Sequence, residues 1–278
     1  ERYKITNFLS KIDVLLIFEI PFYFSLEGEN GEMLGYDIMK EAQQLGVKTV
    51  LMPMYECTPY PLSADLYLCP SQLDYDVYKE MYPQANIQKV TVPVDTKWSQ
   101  RKKATVFVFN AGNGVREVIS SLPHIKSPIE LIFRSQKPLD NDINDNRVRK
   151  QIGTLKYEDL YKEGDVFLFP EKFNGLSLPL QEAYSSGMLV MTTHRHPNTE
   201  WLPSDPLIPV KGYTEDRIVN VPFKRAEISP IDIANTIDSW YNKDITELSI
   251  MGKKWGEAHS WDKMLPEYLK IIKKGLSL

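Results

Sequence analysis

Cysteine is scarce in this sequence: only Cys57 and Cys69 occur in 278 residues, in separate apolar segments. Two such residues exclude a disulfide framework and read as buried free thiols, which points to a reducing, cytoplasmic setting. No apolar run approaches the ~20 residues that a membrane-spanning helix needs, and no secretory leader is recognisable, so a soluble protein is expected. Positive charge is not in excess. Lys and Arg number 33 against 37 Asp and Glu, a net charge of −4, so no global field draws the chain onto nucleic acid. No repeat with a fixed period of about 20 to 50 residues occurs. The chain opens at Glu1 and reaches the apolar run at 12–20 almost at once; an N-terminal piece is expected to be missing.

What is present is enough apolar residue for two cores, 42% hydrophobic with 25% charged, which is the range of globular domains. Residues 12–18 form a continuous apolar run of strand length, the pattern of a strand buried on both faces of a parallel sheet. A helix is predicted over 31–45, with Leu34, Ile38, Ala42 and Leu45 on one face, stopped by Gly46. Strands at 47–52, 64–69 and 87–92 follow, with a helix at 72–82 between the last two. After the basic stretch 97–103 a second alternating series begins. It has strands at 104–109, 129–133, 166–169 and 188–192, and helices near 115–121, 157–161 and 178–186. Two consecutive doubly wound α/β domains result, with a helical tail after 231. The boundaries are drawn at 1–97, 98–252 and 253–278. The acidic loop 140–145 lacks the glycine and distal glutamate of an EF-hand and reads as solvated.

The run Phe169-Pro-Glu-Lys-Phe-Asn174-Gly-Leu-Ser-Leu-Pro-Leu-Gln-Glu182 leads from a strand through a glycine-bearing loop into a helix. A helix N-terminus presents unpaired amides and the positive end of the dipole, a ready site for a diphosphate. Glu182, read as lying in the first turn, can bind hydroxyls. Together those properties suit a sugar nucleotide.

The same run, followed by Ser186-Gly-Met-Leu-Val-Met-Thr, resembles the donor-site segment of retaining GT-B glycosyltransferases of the GT4 type. Other pieces agree in order: Ala64-Asp-Leu-Tyr-Leu-Cys-Pro-Ser71, Val92-Pro-Val-Asp95, Phe107-Val-Phe-Asn-Ala-Gly-Asn-Gly114, Gly153-Thr-Leu-Lys-Tyr-Glu-Asp-Leu-Tyr161 and His259-Ser-Trp261. The resemblance covers about residues 45 to 265. It implies a GT-B fold, two Rossmann-like domains with a cleft between them and a C-terminal helix returning to the first. It further implies retaining, metal-independent transfer of a hexose from a nucleoside diphosphate sugar such as a UDP-sugar, with no other cofactor. Two departures stand out. In the family's Glu-x7-Glu pattern the second glutamate is Glu182, but the first, which contacts the transferred sugar, is Asn174. The family's N-terminal glycine-rich loop has no counterpart.

By this resemblance Glu182 binds the ribose hydroxyls, and Gly112, Gly114, Ser135, Tyr157, Gly175, Leu176 and Ser177 line the donor, with Tyr157 and Leu160 flanking the base. Departure of a diphosphate needs cations or oriented amides. Arg116 and Arg134 are the candidates and Lys172 a third, while Asn174 keeps a hydrogen bond to the sugar without the charge. Glu19 and Glu56 end strands of the first domain and are acceptor-side candidates. Glu200 is a further donor contact. His194 and His196 lack companion ligands for zinc and read as cleft or structural residues. The acceptor stays open among carbohydrate, lipid, protein and a hydroxylated nucleobase in DNA. A non-catalytic nucleotide-sugar-binding or partner subunit of the same fold is the alternative. Oligomeric state is not legible.

Overall fold

The computed structural model describes residues 2–19, 22–24, 35–54, 63–112, 114–138, 143–202, 206–218 and 221–278. In chain order the elements are α1 (Arg2–Leu9), β1 (Val14–Phe18), β2 (Phe22–Phe24), β3 (Gly35–Asp37), α2 (Ile38–Gln44), β4 (Lys48–Met52), β5 (Leu66–Cys69), α3 (Gln72–Met81), β6 (Ile87–Lys89) and β7 (Val106–Asn110). There follow α4 (Val115–Ser121), β8 (Glu130–Ser135), β9 (Val148–Ile152), β10 (Val166–Phe169), α5 (Leu178–Ser185), β11 (Leu189–Thr193), α6 (Asn198–Trp201), β12 (Leu207–Ile208), β13 (Val210–Ile218) and β14 (Val221–Ile228). Last come α7 (Pro230–Trp240), α8 (Thr246–Ala258) and α9 (Trp261–Leu276). Tyr157–Asp159 is a single 3-10 turn.

Two compact units emerge. The first joins Glu1–Thr91 with Arg217–Pro222 and Leu265–Leu278, and the second joins Val92–Asp216 with Phe223–Met264. The first unit's opening segment runs to Thr91, where the sequence reading drew a boundary at 97, and the second unit holds all of α8, which that reading divided at 253.

In the first unit β1, β4, β5 and β6 form one parallel sheet in that order. Leu15, Ile17, Met39, Leu51, Tyr67, Cys69 and Tyr78 close its core. Burial pushes the Cys69 thiol well above its ordinary range, as an inert core cysteine requires. β1 corrects the expectation of a doubly buried strand. It lies at the sheet edge, and Leu16 and Phe18 are exposed. The helix predicted over 31–45 begins only at Ile38, because 35–37 pair antiparallel with 22–24; 31–34 lie outside the described residues. At the other end of the chain, Tyr268 Oη donates to the Thr91 carbonyl at 2.7 Å and Asn86 Nδ2 donates to that of Gly275 at 2.7 Å.

The second unit holds a six-stranded parallel sheet in the order β12-β11-β10-β7-β8-β9. Counted along the chain, this is the 3-2-1-4-5-6 order of dinucleotide-binding domains read from β9. Both faces of β7, β8, β10 and β11 are covered, so these strands read as unbroken apolar runs. Phe107, Phe109, Leu131, Phe133, Leu168 and Met191 pack with residues of α4 and α7. Val108, Ile132, Phe167 and Val190 pack with residues of α5. α8 lies against α5 where glycine allows it, since a Cβ on Gly252 would fall 2.1 Å from the Tyr184 carbonyl oxygen.

One device recurs in both sheets. Asp65 Oδ2 accepts from Thr49 N and Thr49 Oγ1, each at 2.8 Å. Asp165 Oδ2 accepts from Thr105 N at 3.1 Å, Thr105 Oγ1 at 2.8 Å and Val106 N at 2.8 Å. In each case an aspartate just before a strand closes the amino end of its parallel neighbour.

Candidate functional site

Strand order reverses between β7 and β10, and in open α/β sheets ligands bind outside the carboxyl ends at that switch point. The loops leaving these two strands touch there. Gly114, with φ of +92°, sits so close to the loop after β10 that a Cβ would lie 2.4 Å from the Pro170 carbonyl oxygen. Only glycine combines that torsion with that approach. Over the ends of β7, β8 and β9 opens a pocket of about 520 Å³ lined by Asn110, Arg134, Ser135, Gly153, Thr154 and Leu160 among others. Asn110 Oδ1 is buried there and has no hydrogen-bond donor among the described residues.

The loop from Pro170 to Ser177 is fixed from within. Asn174 Oδ1 accepts from Ser177 N at 2.6 Å and Asn174 Nδ2 donates to Glu171 Oε1 at 2.5 Å. Ser177 Oγ lies 2.6 Å from the same Glu171 oxygen and 2.8 Å from Asn198 Oδ1. Asn198 Nδ2 in turn donates to Thr192 Oγ1 and the Thr193 carbonyl, both at 3.1 Å. Glu171 is 3% exposed, and Ser177 adopts φ of +54° at the entrance to α5. These bonds stabilise a left-handed torsion that costs a non-glycine residue free energy. Asn174, expected to face the transferred sugar, thus has both ends of its amide committed to the loop.

α5 starts at Leu178, where the sequence reading began it, so Glu182 lies just past its first turn and not within it. The helix dipole, which acts on the first turn, is therefore not what holds it. Two phenols are. Tyr157 Oη donates to Glu182 Oε1 at 2.8 Å and Tyr161 Oη donates to Oε2 at 2.7 Å. Burial, followed by the Glu182 hydrogen bond and charge and by Asp95, raises the Tyr157 hydroxyl above its usual range. Burial and Glu182 raise that of Tyr161 further. Both phenols therefore stay protonated donors at any physiological pH.

Of the remaining predicted residues, Arg116 is exposed in the first turn of α4. Arg134 lines the pocket, but the residue is 5% exposed and its guanidinium is engaged. Nε donates to Gln151 Oε1 at 2.9 Å, Nη1 donates to the Leu160 carbonyl, and Nη2 lies 3.7 Å from Glu163. Burial lowers its pKa, with Glu163 opposing. Lys172 forms an ion pair with Glu117. Ser135 lines the pocket, its Oγ donating to the Lys137 carbonyl at 2.6 Å. Gly112 is exposed, Gly175 is buried inside the loop, and Leu176 is half-buried with its carbonyl accepting from Gln181 Nε2 at 3.0 Å. Leu160 combines pocket and core roles. His196 Nδ1 lies 3.9 Å from Glu200 Oε1, and the His194 amide donates to the Ile208 carbonyl. Glu19 is exposed just after β1, in the first unit, and Glu56 lies outside the described residues. The sequence reading did not single out Tyr161, Glu171 or Asn198 as site residues. Only the i, i+4 spacing of Tyr157 and Tyr161 signalled that two tyrosines share one side of a turn.

No protein-family model matches this chain, and no curated protein does. Among solved structures it is similar over 99% of its length to the GtfA/B complex, with TM-score 0.66 and 12% identity. It is similar over 98% to the pneumococcal O-GlcNAc transferase GtfA in complex with UDP and GlcNAc, with TM-score 0.62 and 14% identity. Sucrose-phosphate synthase from Thermosynechococcus elongatus matches over 93%, with TM-score 0.61 and 12% identity. The chain spans 60% of the first two of these structures and 73% of the third. The likeness extends over nearly the whole chain and establishes its fold, which is the GT-B fold.

Proposed function

We propose that the chain is a glycosyltransferase that binds a nucleoside diphosphate sugar through its second unit and transfers a hexose to an acceptor, with retention and without a metal. The observation that carries this reading is Glu182, a carboxylate held by two phenols on the helix that follows the switch-point loop. Such a group suits a vicinal diol, which donates two hydrogen bonds to a carboxylate. The pocket over β7, β8 and β9 accommodates a base, with Asn110 Oδ1 as an acceptor for it. UDP is the nucleotide of choice for a first trial because the similar pneumococcal transferase is in complex with it. At the leaving group, growing negative charge calls for Arg116, an exposed cation in the first turn of α4, and for loop amides. No protein nucleophile is assigned, consistent with reaction on one face of the sugar.

A second reading is favoured by Asn174. With its amide committed to Glu171 and Ser177 N, the loop lacks the free carboxylate of the resembled family, and a nucleotide-sugar-binding or partner subunit without turnover would need none. Incubating the protein with UDP-, GDP- and ADP-sugars and following donor hydrolysis separates the two. Slow release of sugar from one nucleotide class supports the enzyme; saturable binding with no release supports the second reading. Absence of binding to every donor contradicts both.

A further inference from the structure

We infer that Tyr157 sets the protein's affinity for ribose, by covering Glu182 and competing with the ligand's hydroxyls for its carboxylate. The inference rests on the nucleotide-sugar reading above. Each oxygen of Glu182 accepts a phenolic hydrogen, and with the two phenols in place the residue is only 9% exposed, so a diol reaches it only if one cover moves. The two covers differ in what holds them. Tyr161 is 6% exposed, with its ring edge-on to Phe167 at 5.9 Å. Tyr157 is 52% exposed on a 3-10 turn secured by the Asp159 amide to the Lys156 carbonyl at 3.0 Å and the Leu160 amide to its own carbonyl at 3.2 Å. Neither bond involves its side chain. Rotation of the Tyr157 side chain therefore costs its hydrogen bond to Oε1 and little packing, whereas rotation of Tyr161 would open the core.

A ribose hydroxyl and a phenol are the same kind of donor, so exchange at Oε1 replaces one charge-assisted bond by another and gains little. A nucleotide without the hydroxyls offers nothing to exchange and leaves Tyr157 in place. Tyr157 thus acts as an internal competitor that makes ribose recognition weak but selective.

The test is isothermal titration of wild type and Tyr157→Phe with UDP and with 2′,3′-dideoxy-UDP. Removing the competitor is expected to tighten UDP by about fivefold to tenfold, the worth of one hydrogen bond no longer surrendered. The dideoxy nucleotide is expected to change by less than about twofold, so that the ratio of the two affinities rises; a purely structural role would move both alike. Weaker UDP binding by Tyr157→Phe, or an equal change for both nucleotides, overturns the inference while leaving the nucleotide site standing. If neither protein binds UDP, GDP or ADP, the nucleotide reading fails and takes the inference with it.

Discussion

Tyr161 donates its phenolic hydrogen to Oε2 of Glu182 at 2.7 Å from a ring packed edge-on against Phe167. This ties the candidate ribose-binding carboxylate to the core on one face of the second sheet. Tyr161→Phe leaves a buried carboxylate oxygen without its donor, which costs about 1–3 kcal/mol. The melting temperature is expected to fall by several degrees, and UDP affinity to weaken, since Glu182 loses its orientation. Thermal scans with and without UDP measure both. The sign on affinity is opposite to that expected for Tyr157→Phe, although both variants remove one hydroxyl from one carboxylate.

Asp165→Ala removes the acceptor shared by Thr105 N, Thr105 Oγ1 and Val106 N at the start of β7. Loss of three bonds at once is expected to cost about 2–4 kcal/mol, and Asp165→Asn, which keeps a carbonyl oxygen, less. Denaturant unfolding followed by fluorescence compares them. Asp65→Ala, which removes two bonds to Thr49 in the first unit, should destabilise by a smaller amount.

Arg147 grips Asp145 with Nε at 3.0 Å and Nη2 at 2.7 Å, and donates to the carbonyls of Ile125 at 2.8 Å and Leu122 at 2.6 Å. The Arg147 hydrogen bonds hold the Asp145 carboxyl below its ordinary value of 3.8, against burial that opposes them. A folded-state pKa below the unfolded one contributes stability that is fully present above 3.8 and lost as pH falls through the folded value. At pH 6 Asp145→Asn is expected to be less stable than wild type by about 1–2 kcal/mol. Below pH 3.8 the gap should close, because wild type loses the same charge. Melting temperatures of the two proteins across pH give the curve.

Much of this architecture is legible in the residues. The apolar runs that became β4, β5, β7, β8, β10 and β11 are buried on both faces, so hydrophobicity alone marks them. β9 escaped notice because Val148-Arg-Lys-Gln-Ile152 is a largely exposed edge strand with a polar sequence. The paired strands β13 and β14 were missed for a similar reason. Val210 to Ile218 carries Lys211, Glu215, Asp216 and Arg217, which break any apolar run. At the candidate site, local sequence singles out the loop and Glu182. The phenols that hold Glu182 come from a segment 21 to 25 positions away, a pairing that no local pattern encodes. The commitment of Asn174 to Glu171 depends on a turn conformation that only the folded loop supplies.

The central claim is that Glu182 anchors a nucleoside diphosphate in the second unit. Titration of UDP into wild type, Glu182→Gln and Glu182→Ala, with melting curves confirming that each is folded, tests it most directly. Loss of a charge-assisted diol contact predicts UDP affinity at least tenfold weaker in both variants, about 1.4 kcal/mol or more. UDP affinity unchanged in folded Glu182→Ala would contradict the account.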